Sequence, residues 1–460
     1  MLNGDIYDVV VIGGGPAGYV AAIKAAQLGG RAAIIEKGNM GGTCLNVGCI
    51  PAKTYLKNVE IIDELKNGNR RGIILDSSSI TIDISKLKGF KDEVVTTLIN
   101  SVVGLLKNNK VDIYKGVGRL VSNTHVSIND EDIIEGKSII LTGGSKVSKI
   151  NIPGIDSNLV ISSDEIFNLN DIPNTLAIIG GGVIGVEMAV AFSAFGSKVF
   201  IIELMDRIIP TMDQELSNGL LDELTKRGIE VYTSNSLKKI IEQKDKLHLY
   251  LDSGENIIVD KALLSVGRVP DLEALGNLNI KNEYGKIKVN EYMETSIPNI
   301  YAAGDINGLK MLAHAASRMG EIAALNAMGD KVKFNINNIP TGIYTNPEVA
   351  SIGLTEDEAR KKYDIVVGRF NFVGNGRALT SAITKGFVKV IADSRYGQIL
   401  GVHIFGPSAV EMINEAAVLM EMEITVYEVG QIIHGHPTYS EALVEACLDC
   451  IGKSIYIPRA

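Results

Sequence analysis

The feature that most constrains this chain is a segment that occurs twice. Residues 9–37 read VVVIGGGPAGYVAAIKAAQLGGRAAIIEK and residues 176–204 read LAIIGGGVIGVEMAVAFSAFGSKVFIIEL, aligning without a gap. Each copy runs from an apolar strand through a Gly-x-Gly-x-x-Gly turn into a helix of small residues. A stop glycine follows (Gly29, Gly196), then a second apolar strand that ends in a glutamate, Glu36 or Glu203. In this setting Gly13 and Gly180 permit the tight turn. Gly15 and Gly182 let a pyrophosphate approach the backbone, and Gly18 and Gly185 let helix pack on strand. The helix N-terminus then offers N–H groups and the positive end of its dipole. A glutamate at the second strand end accepts hydrogen bonds from a ribose diol and repels a 2′-phosphate, so the second copy is expected to prefer NAD over NADP. Two complete copies predict an α/β fold with two dinucleotide sites, and hence electron transfer between two cofactors.

Length and charge narrow the class further. A chain of 460 residues should split into several domains, each with its own core. With 46% apolar and 22% charged residues it is an ordinary globular composition, which excludes a disordered chain. The net charge of −9, without a Lys/Arg run, argues against nucleic acid. No apolar run reaches the roughly 18–20 residues of a membrane span. Residues 1–8 carry no basic region and are expected to lead straight into a strand, not to form a signal or transit peptide. Four cysteines are too few for a secreted disulfide framework, so a reducing, cytoplasmic setting is expected.

Along the rest of the chain, a helix is predicted over 92–107. Short strands follow over 111–142, with turns at Ser122-Asn123, Asn129-Asp130 and Gly136. A helix near 214–227 and strands onward to Val266 complete the second nucleotide unit, and a further helix covers 311–328. After Gly342 the pattern changes to strands (386–392, 399–405) and then helices (408–422, 439–454), an α+β unit. Boundaries near 150, 273 and 342 divide the chain into 1–149, 150–273, 274–342 and 343–460.

Three groups of side chains carry chemistry. Residues 41–51 read GGTCLNVGCIP, placing Cys44 and Cys49 about one helical turn apart on one face. A regular helix does not bring two such sulfurs into disulfide geometry, but a turn distorted at Gly48 could. Buried free cysteines or half a metal site are the alternatives. No histidine precedes His125, so further metal ligands are lacking nearby and no metal is expected. Directly after a nucleotide-binding unit, a redox-active disulfide is the better reading. The second group, HGHPTYSE, sets His434 and His436 near Glu441, as an acid–base group oriented by a carboxylate or as a surface histidine before a helix cap. A thiol near pKa 8.5 needs such a base to become a nucleophile at neutral pH. Glu187, one turn into the second fingerprint helix, reads as a dipole partner, and Lys53 as a solvated lysine. The last pair, Cys447 and Cys450, reads as helical core packing.

Together these residues resemble the flavin-dependent pyridine-nucleotide disulfide oxidoreductases. The resemblance spans essentially the whole chain: both fingerprints, GGTCLNVGCIPAK, Gly267-Arg268 in SVGRVPD, Gly304-Asp305 in YAAGDI, and HGHPTYSE. It is strongest to the members that act on dihydrolipoyl groups. It implies two Rossmann-like dinucleotide-binding domains, a central segment completing the FAD site, and a C-terminal α+β interface (dimerisation) domain. FAD would lie on Gly13, Gly15, Gly18, Glu36, Gly116, Asp305 and Ala313, with Lys53 near the flavin and paired with Glu187. NAD would lie on Gly180, Gly182, Gly185, Glu203, Gly267 and Arg268. Cys49 would face the flavin and Cys44 would be the interchange thiol. His436, oriented by Glu441 and preceding a cis proline, would be the base, supplied from the other subunit of a homodimer.

The implied activity is oxidation of protein-bound dihydrolipoamide with reduction of NAD+, in a 2-oxo acid dehydrogenase or glycine cleavage assembly. Lipoyl domains or a lipoyl carrier protein would be its partners. Departures from the pattern are few: Ala52 stands where many relatives carry serine, Gly143-Gly144-Ser145 replaces an Ala-Thr-Gly-Ser-like run, and Tyr439 replaces leucine or methionine, where it could alter access to the disulfide. A glutathione-type reductase would prefer NADPH, which Glu203 disfavours. A mercuric reductase usually carries a cysteine pair at the extreme C-terminus, whereas Cys447 and Cys450 lie upstream of the final YIPRA.

Overall fold

A computed structural model describes residues 6–75 and 80–458; residues 1–5, part of the segment expected to lead into the first strand, and the final 459–460 lie outside the described residues. Both repeated segments fold as expected, into strand–helix–strand units with parallel strands. In the first sheet the strand order is Asp112–Lys115, Ala32–Glu36, Tyr7–Ile12, Asp132–Leu141, His125–Ile128, Gly118–Leu120, and Ile300–Ala302 pairs parallel to Asp132–Leu141. The second sheet is parallel throughout, ordered Glu230–Tyr232, Lys198–Ile202, Thr175–Ile179, Lys261–Leu264, Val160–Ser162. The inner strands are apolar because both faces are covered, in the second sheet by helices on one side and on the other by an antiparallel sheet of Leu237–Gln243, Lys246–Leu251 and Asn256–Val259. Beyond residue 340 an antiparallel sheet runs Thr341–Ile343, Glu348–Gly353, Ile399–Gly406, Phe387–Asp393, Ile365–Asn371.

Helices α1 (Pro16–Gln27), α2 (Gly42–Val47), α3 (Cys49–Lys66) and α4 (Ile84–Asn108) accompany the first sheet. Helices α5 (Val183–Ala194) and α6 (Gln214–Lys226) flank the second, and α7 (Ala313–Ala327) returns to the first. The last sheet carries α8 (Glu356–Arg360), α9 (Gly376–Ser381), α10 (Ala409–Glu421), α11 (Val426–Val429) and α12 (Glu441–Asp449). The small residues of α1 have a packing reason. Ala17, Ala21, Ala22 and Ala25 are buried in one cluster with Ala315, Ala316 and Met319 of α7. A Cβ at Gly320 would sit 2.1 Å from the Ala17 carbonyl oxygen. Helix α5 is apolar on all sides because the sheet and α3 sandwich it in one core.

Two expectations need correction. The turn expected at Gly136 is absent: Gly136 lies inside the continuous strand Asp132–Leu141. There the strand changes partners, pairing antiparallel with His125–Ile128 up to Glu135 and parallel with Tyr7–Ile12 from Gly136. A Cβ at that crossing would come 2.7 Å from Cγ2 of Val10, so the glycine serves close packing. The helix expected over 92–107 starts earlier, at Ile84, because the Asp83 side chain accepts from the Ser85 and Lys86 N–H groups, both at 3.1 Å.

Candidate active site

The two cysteines do not share one helix. α2 ends at Val47, Gly48 breaks the chain at φ −128° and ψ −111°, and α3 begins at Cys49. A Cβ at Gly48 would lie 2.9 Å from the Thr43 carbonyl oxygen. The break brings the Cys44 and Cys49 thiols into a hydrogen bond, the distorted turn the spacing allowed for. Both are half-buried free thiols. The bond from Cys44, followed by the nearby Lys53 ammonium, outweighs burial and lowers the Cys49 thiol to about 7. The same bond, together with burial, pushes the Cys44 thiol up. One cysteine is therefore poised as a thiolate and the other as a thiol.

Lys53 is far from a free surface lysine. Its Nζ lies 2.8 and 3.0 Å from the carboxylate oxygens of buried Glu187 and 4.3 Å from the centre of the Tyr344 ring. The Tyr344 N–H also donates to Glu187, at 2.9 Å. Glu187 belongs to α5, so this pair joins the cysteine helix to the second fingerprint.

A cavity of about 1540 Å³ runs from the first fingerprint to the cysteines. Gly13, Gly15, Glu36, Gly116, Asp305 and Ala313 line it, and so do Cys44, Cys49, Lys53 and Glu187. Its local geometry fits a dinucleotide. A Cβ at Gly18 would fall 1.8 Å from the Gly13 carbonyl oxygen, so the helix can pack there only without a side chain. At Gly15 the nearest atom to such a Cβ is 3.8 Å away, leaving the approach to the α1 N-terminus open, and no side chain caps that helix. Glu36 is fixed by the N–H groups of Gly14 at 2.6 Å and Gly38 at 2.5 Å. Asp305 accepts a hydrogen bond from Ser145 Oγ at 2.6 Å. FAD would fit this set of donors and acceptors, with the helix N-terminus to hold its phosphates and Glu36 a ribose.

The second fingerprint repeats the device. A Cβ at Gly185 would fall 2.0 Å from the Gly180 carbonyl oxygen, while one at Gly182 would meet nothing within 4 Å. Glu203 is held by the N–H groups of Gly181 at 2.6 Å and Met205 at 2.7 Å. Gly267, the other backbone position read with this site, has φ +104° at the end of the sheet. Val183, Ile184, Glu187 and Met188 of α5 line the first cavity, so the two cradles share one helix as a wall. Arg268, read from sequence with the second site, is held by Ser145 and Asp164. Its guanidinium lines the first cavity and donates to Asp164, to the Ser145 carbonyl oxygen and to Ser145 Oγ, at 2.9, 2.9 and 3.0 Å.

His436 and Glu441 meet as expected, with Nδ1 2.8 Å from Glu441 Oε1. Glu441 also accepts the Thr438 N–H at 2.8 Å, which fixes the carboxylate. With Nδ1–H donated to the carboxylate, the ring's lone pair falls on Nε2, the arrangement of an oriented base. The His436-Pro437 bond is cis. Neither His436 nor Glu441 lines the cavity that holds the cysteines. The His436 side chain is 77% exposed, beside Ile433 at 98%. Tyr439 turns into its own unit, donating to Ser381 Oγ at 2.8 Å and packing edge-on against Phe372. Cys447 and Cys450 are buried at the end of α12, and burial pushes both thiols up, Cys450 to about 12. Among the described residues no His, Cys, Asp or Glu cluster could hold a metal ion, and no helix is long and apolar enough to cross a membrane.

Sequence reasoning missed Ser145, Tyr344, Asp164 and Glu415 as parts of this neighbourhood. Only Ser145 carried a signal, its place in the unusual Gly143-Gly144-Ser145 run.

Comparison with known proteins agrees with this geometry. Residues 7–320 match the family model of the pyridine nucleotide-disulphide oxidoreductases, and residues 339–447 match that of the family's dimerisation domain. A dihydrolipoyl dehydrogenase of Bacillus subtilis is 39% identical over 457 residues, covering 97% of this chain and 99% of that protein. One of Thermus scotoductus is 40% identical over 462 residues, covering 98% of this chain and 99% of its own. Among solved structures, the HOCl-induced flavoprotein disulfide reductase RclA from Escherichia coli superposes with a TM-score of 0.85 at 27% identity, covering 95% of this chain and 99% of that one.

Proposed function

This chain belongs to the pyridine nucleotide-disulphide oxidoreductase family, and we propose that it acts as its dihydrolipoyl dehydrogenase relatives are named. It oxidises protein-bound dihydrolipoamide to lipoamide and reduces NAD+ to NADH. The observation that carries this reading is the Cys44–Cys49 pair, set between a cavity fitted to FAD and the helix that opens the second dinucleotide cradle.

The residues divide the work. In the oxidised enzyme Cys44 and Cys49 form a disulfide. A substrate thiol, deprotonated at Nε2 of His436 from a second copy, attacks the Cys44 sulfur. The S–S bond breaks, leaving a mixed disulfide on Cys44 and a thiolate on Cys49. Cys49 is the better leaving group because its thiol is the more acidic and Lys53 faces it. The second substrate thiol then attacks the substrate sulfur of the mixed disulfide and closes lipoamide; the departing Cys44 sulfur takes the proton held by His436, and the freed Nε2 takes the proton of the second thiol. Bound FAD supplies the two-electron link from the dithiol to the nicotinamide. Lys53 and Glu187 hold the flavin-side wall, and Glu203 selects NAD+ by its demand for a free ribose diol. Glu441 keeps His436 in its working tautomer.

A homodimer follows from the dimerisation-domain match and from the placement of His436 away from its own chain's cavity. Exposed apolar side chains of the same unit, Ile433 and Met422, are what a second copy would cover. Residues 1–149 form the FAD unit, 150–273 the NAD unit, 274–342 the segment that completes the FAD site, and 343–460 the interface unit. The partners are lipoyl domains or a lipoyl carrier protein of a 2-oxo acid dehydrogenase or glycine cleavage complex, in the cytoplasm. Steady-state rates with dihydrolipoamide and each nicotinamide test the reading. Ping-pong kinetics and a clear preference for NAD+ are expected; intersecting sequential kinetics or a preference for NADP+ would overturn it.

A further inference from the structure

The loop that carries His436 is rooted two residues earlier. The His434 side chain is only 14% exposed, against 77% for His436. Its Nδ1 lies 3.0 Å from the Ile432 carbonyl oxygen, and its Nε2 lies 2.6 Å from Oε1 of Glu415 on α10. A carbonyl oxygen only accepts, so Nδ1 carries a proton. A neutral ring would then aim the Nε2 lone pair at a carboxylate oxygen, which also only accepts. The contact closes when a further proton lies between them, as an imidazolium–carboxylate pair.

The surroundings favour that state. Burial opposes the charge, but the bonds to Glu415 and Ile432 and the field of Glu441 on α12 outweigh it, holding His434 above the ordinary imidazole value. Cys447 of α12 also faces Glu415, with its thiol kept neutral by burial. Glu415 has a consequential position. Its neighbours Ile413, Asn414, Ala417 and Val418 on α10 line the cavity that holds the cysteines.

Resting on the reading of His436 as the base, we propose that His434 is a positioning residue: paired with Glu415, it clasps the loop that presents His436 and ties it to the cavity-lining helix. The clasp is strongest below the ordinary imidazole pKa of about 6.5 and is lost as pH rises through the higher folded value. Rising pH thus loosens the loop that aims His436. The alkaline limb of the thiol half-reaction belongs to the His434–Glu415 pair.

The test uses the full-length, FAD-loaded protein and its His434→Gln, Glu415→Gln and double variants, with flavin content measured in each. Each single change should lower kcat/KM for dihydrolipoamide on the order of tenfold, the double no further than either, with NADH oxidation by ferricyanide changed less than about twofold. The alkaline limb should move in both single variants. Histidine Cε1 resonances should show His434 titrating above about 6.5, and lower once Glu415 is replaced. Wild-type turnover and pH profile in both variants, or a His434 midpoint at or below the ordinary value, overturns the inference. His436→Gln assayed alongside separates the readings. Lost turnover there with normal rates in the other variants overturns the clasp alone, while retained turnover overturns the base assignment and the clasp with it.

Discussion

Cys49 owes its acidity to two neighbours that can be removed separately. The larger influence is the hydrogen bond from Cys44, and the charge of Lys53 acts with it against burial. Cys44→Ala removes the donor and leaves the ammonium. In the reduced protein, thiolate ultraviolet absorbance should titrate with a midpoint near 7 in the wild type and move up toward the ordinary thiol value of about 8.5 in Cys44→Ala. The same variant should retain its flavin and lose dihydrolipoamide turnover, since no interchange thiol remains. A midpoint left near 7 would assign the acidity to Lys53 instead. Arg268 makes contacts that its place in the sequence does not announce. From sequence it sits beside Gly267 and reads with the second site. In space its guanidinium bridges Ser145 and Asp164, and Ser145 in turn bonds Asp305 at the first.

The two fingerprint helices use one packing solution, and the same substitution separates their roles. A Cβ at Gly18 would fall 1.8 Å from the Gly13 carbonyl oxygen, and one at Gly185 would fall 2.0 Å from the Gly180 carbonyl oxygen. Both contacts are with backbone, so the helix must move away from its turn, at a cost of about 1–3 kcal/mol. Gly18→Ala should therefore release flavin, visible as loss of yellow colour. Gly185→Ala should keep the flavin and raise the KM for NAD+ about tenfold or more, as that cost expressed in binding allows. The reverse pattern would exchange the two sites. These units were legible in the sequence because strand, turn, helix and acid lie within thirty or so residues and each carries a local signal. The break at Gly48 was half legible: the glycine was visible, but its neighbours in space were not. At Gly136 the local signal misled, because a glycine required by Val10 across the sheet looks in sequence like one required by a turn. The pairs His434–Glu415 and Lys53–Glu187 join distant segments, and no periodicity announces such contacts.

The units must hold their relative orientation for one cavity to reach both cradles, and one buried charge joins two of them. Lys389, on the inner strand Phe387–Asp393 of the last sheet, has only 2% of its side chain exposed. Its ammonium lies 3.1 Å from Asp213 and 2.8 Å from Glu215, both at the start of α6 in the second nucleotide unit. It also lies 2.7 Å from Glu356 of α8, in its own unit. Asp213 meanwhile caps α6 through the Glu215 N–H and accepts the Glu356 N–H, both at 3.1 Å. Nearby His403 is buried, which pushes its pKa down and keeps it neutral, so it cannot replace the lysine's charge. Lys389→Met keeps the volume but leaves buried Asp213 without its cation, while Arg369 and Arg360 still pair Glu215 and Glu356. Breaking a buried pair in this way costs about 3–5 kcal/mol, because the remaining buried carboxylate is no longer compensated. The urea midpoint of the FAD-loaded protein, at fixed concentration, should fall accordingly, with the slope unchanged. Adding Asp213→Asn should recover part of the loss, since it removes the stranded charge, although it also weakens the α6 cap. A loss below about 1 kcal/mol would show that water reaches the carboxylate as readily as at a surface pair, and that the second unit is held against the last by packing and by the Arg369–Glu215 and Lys385–Glu223 pairs.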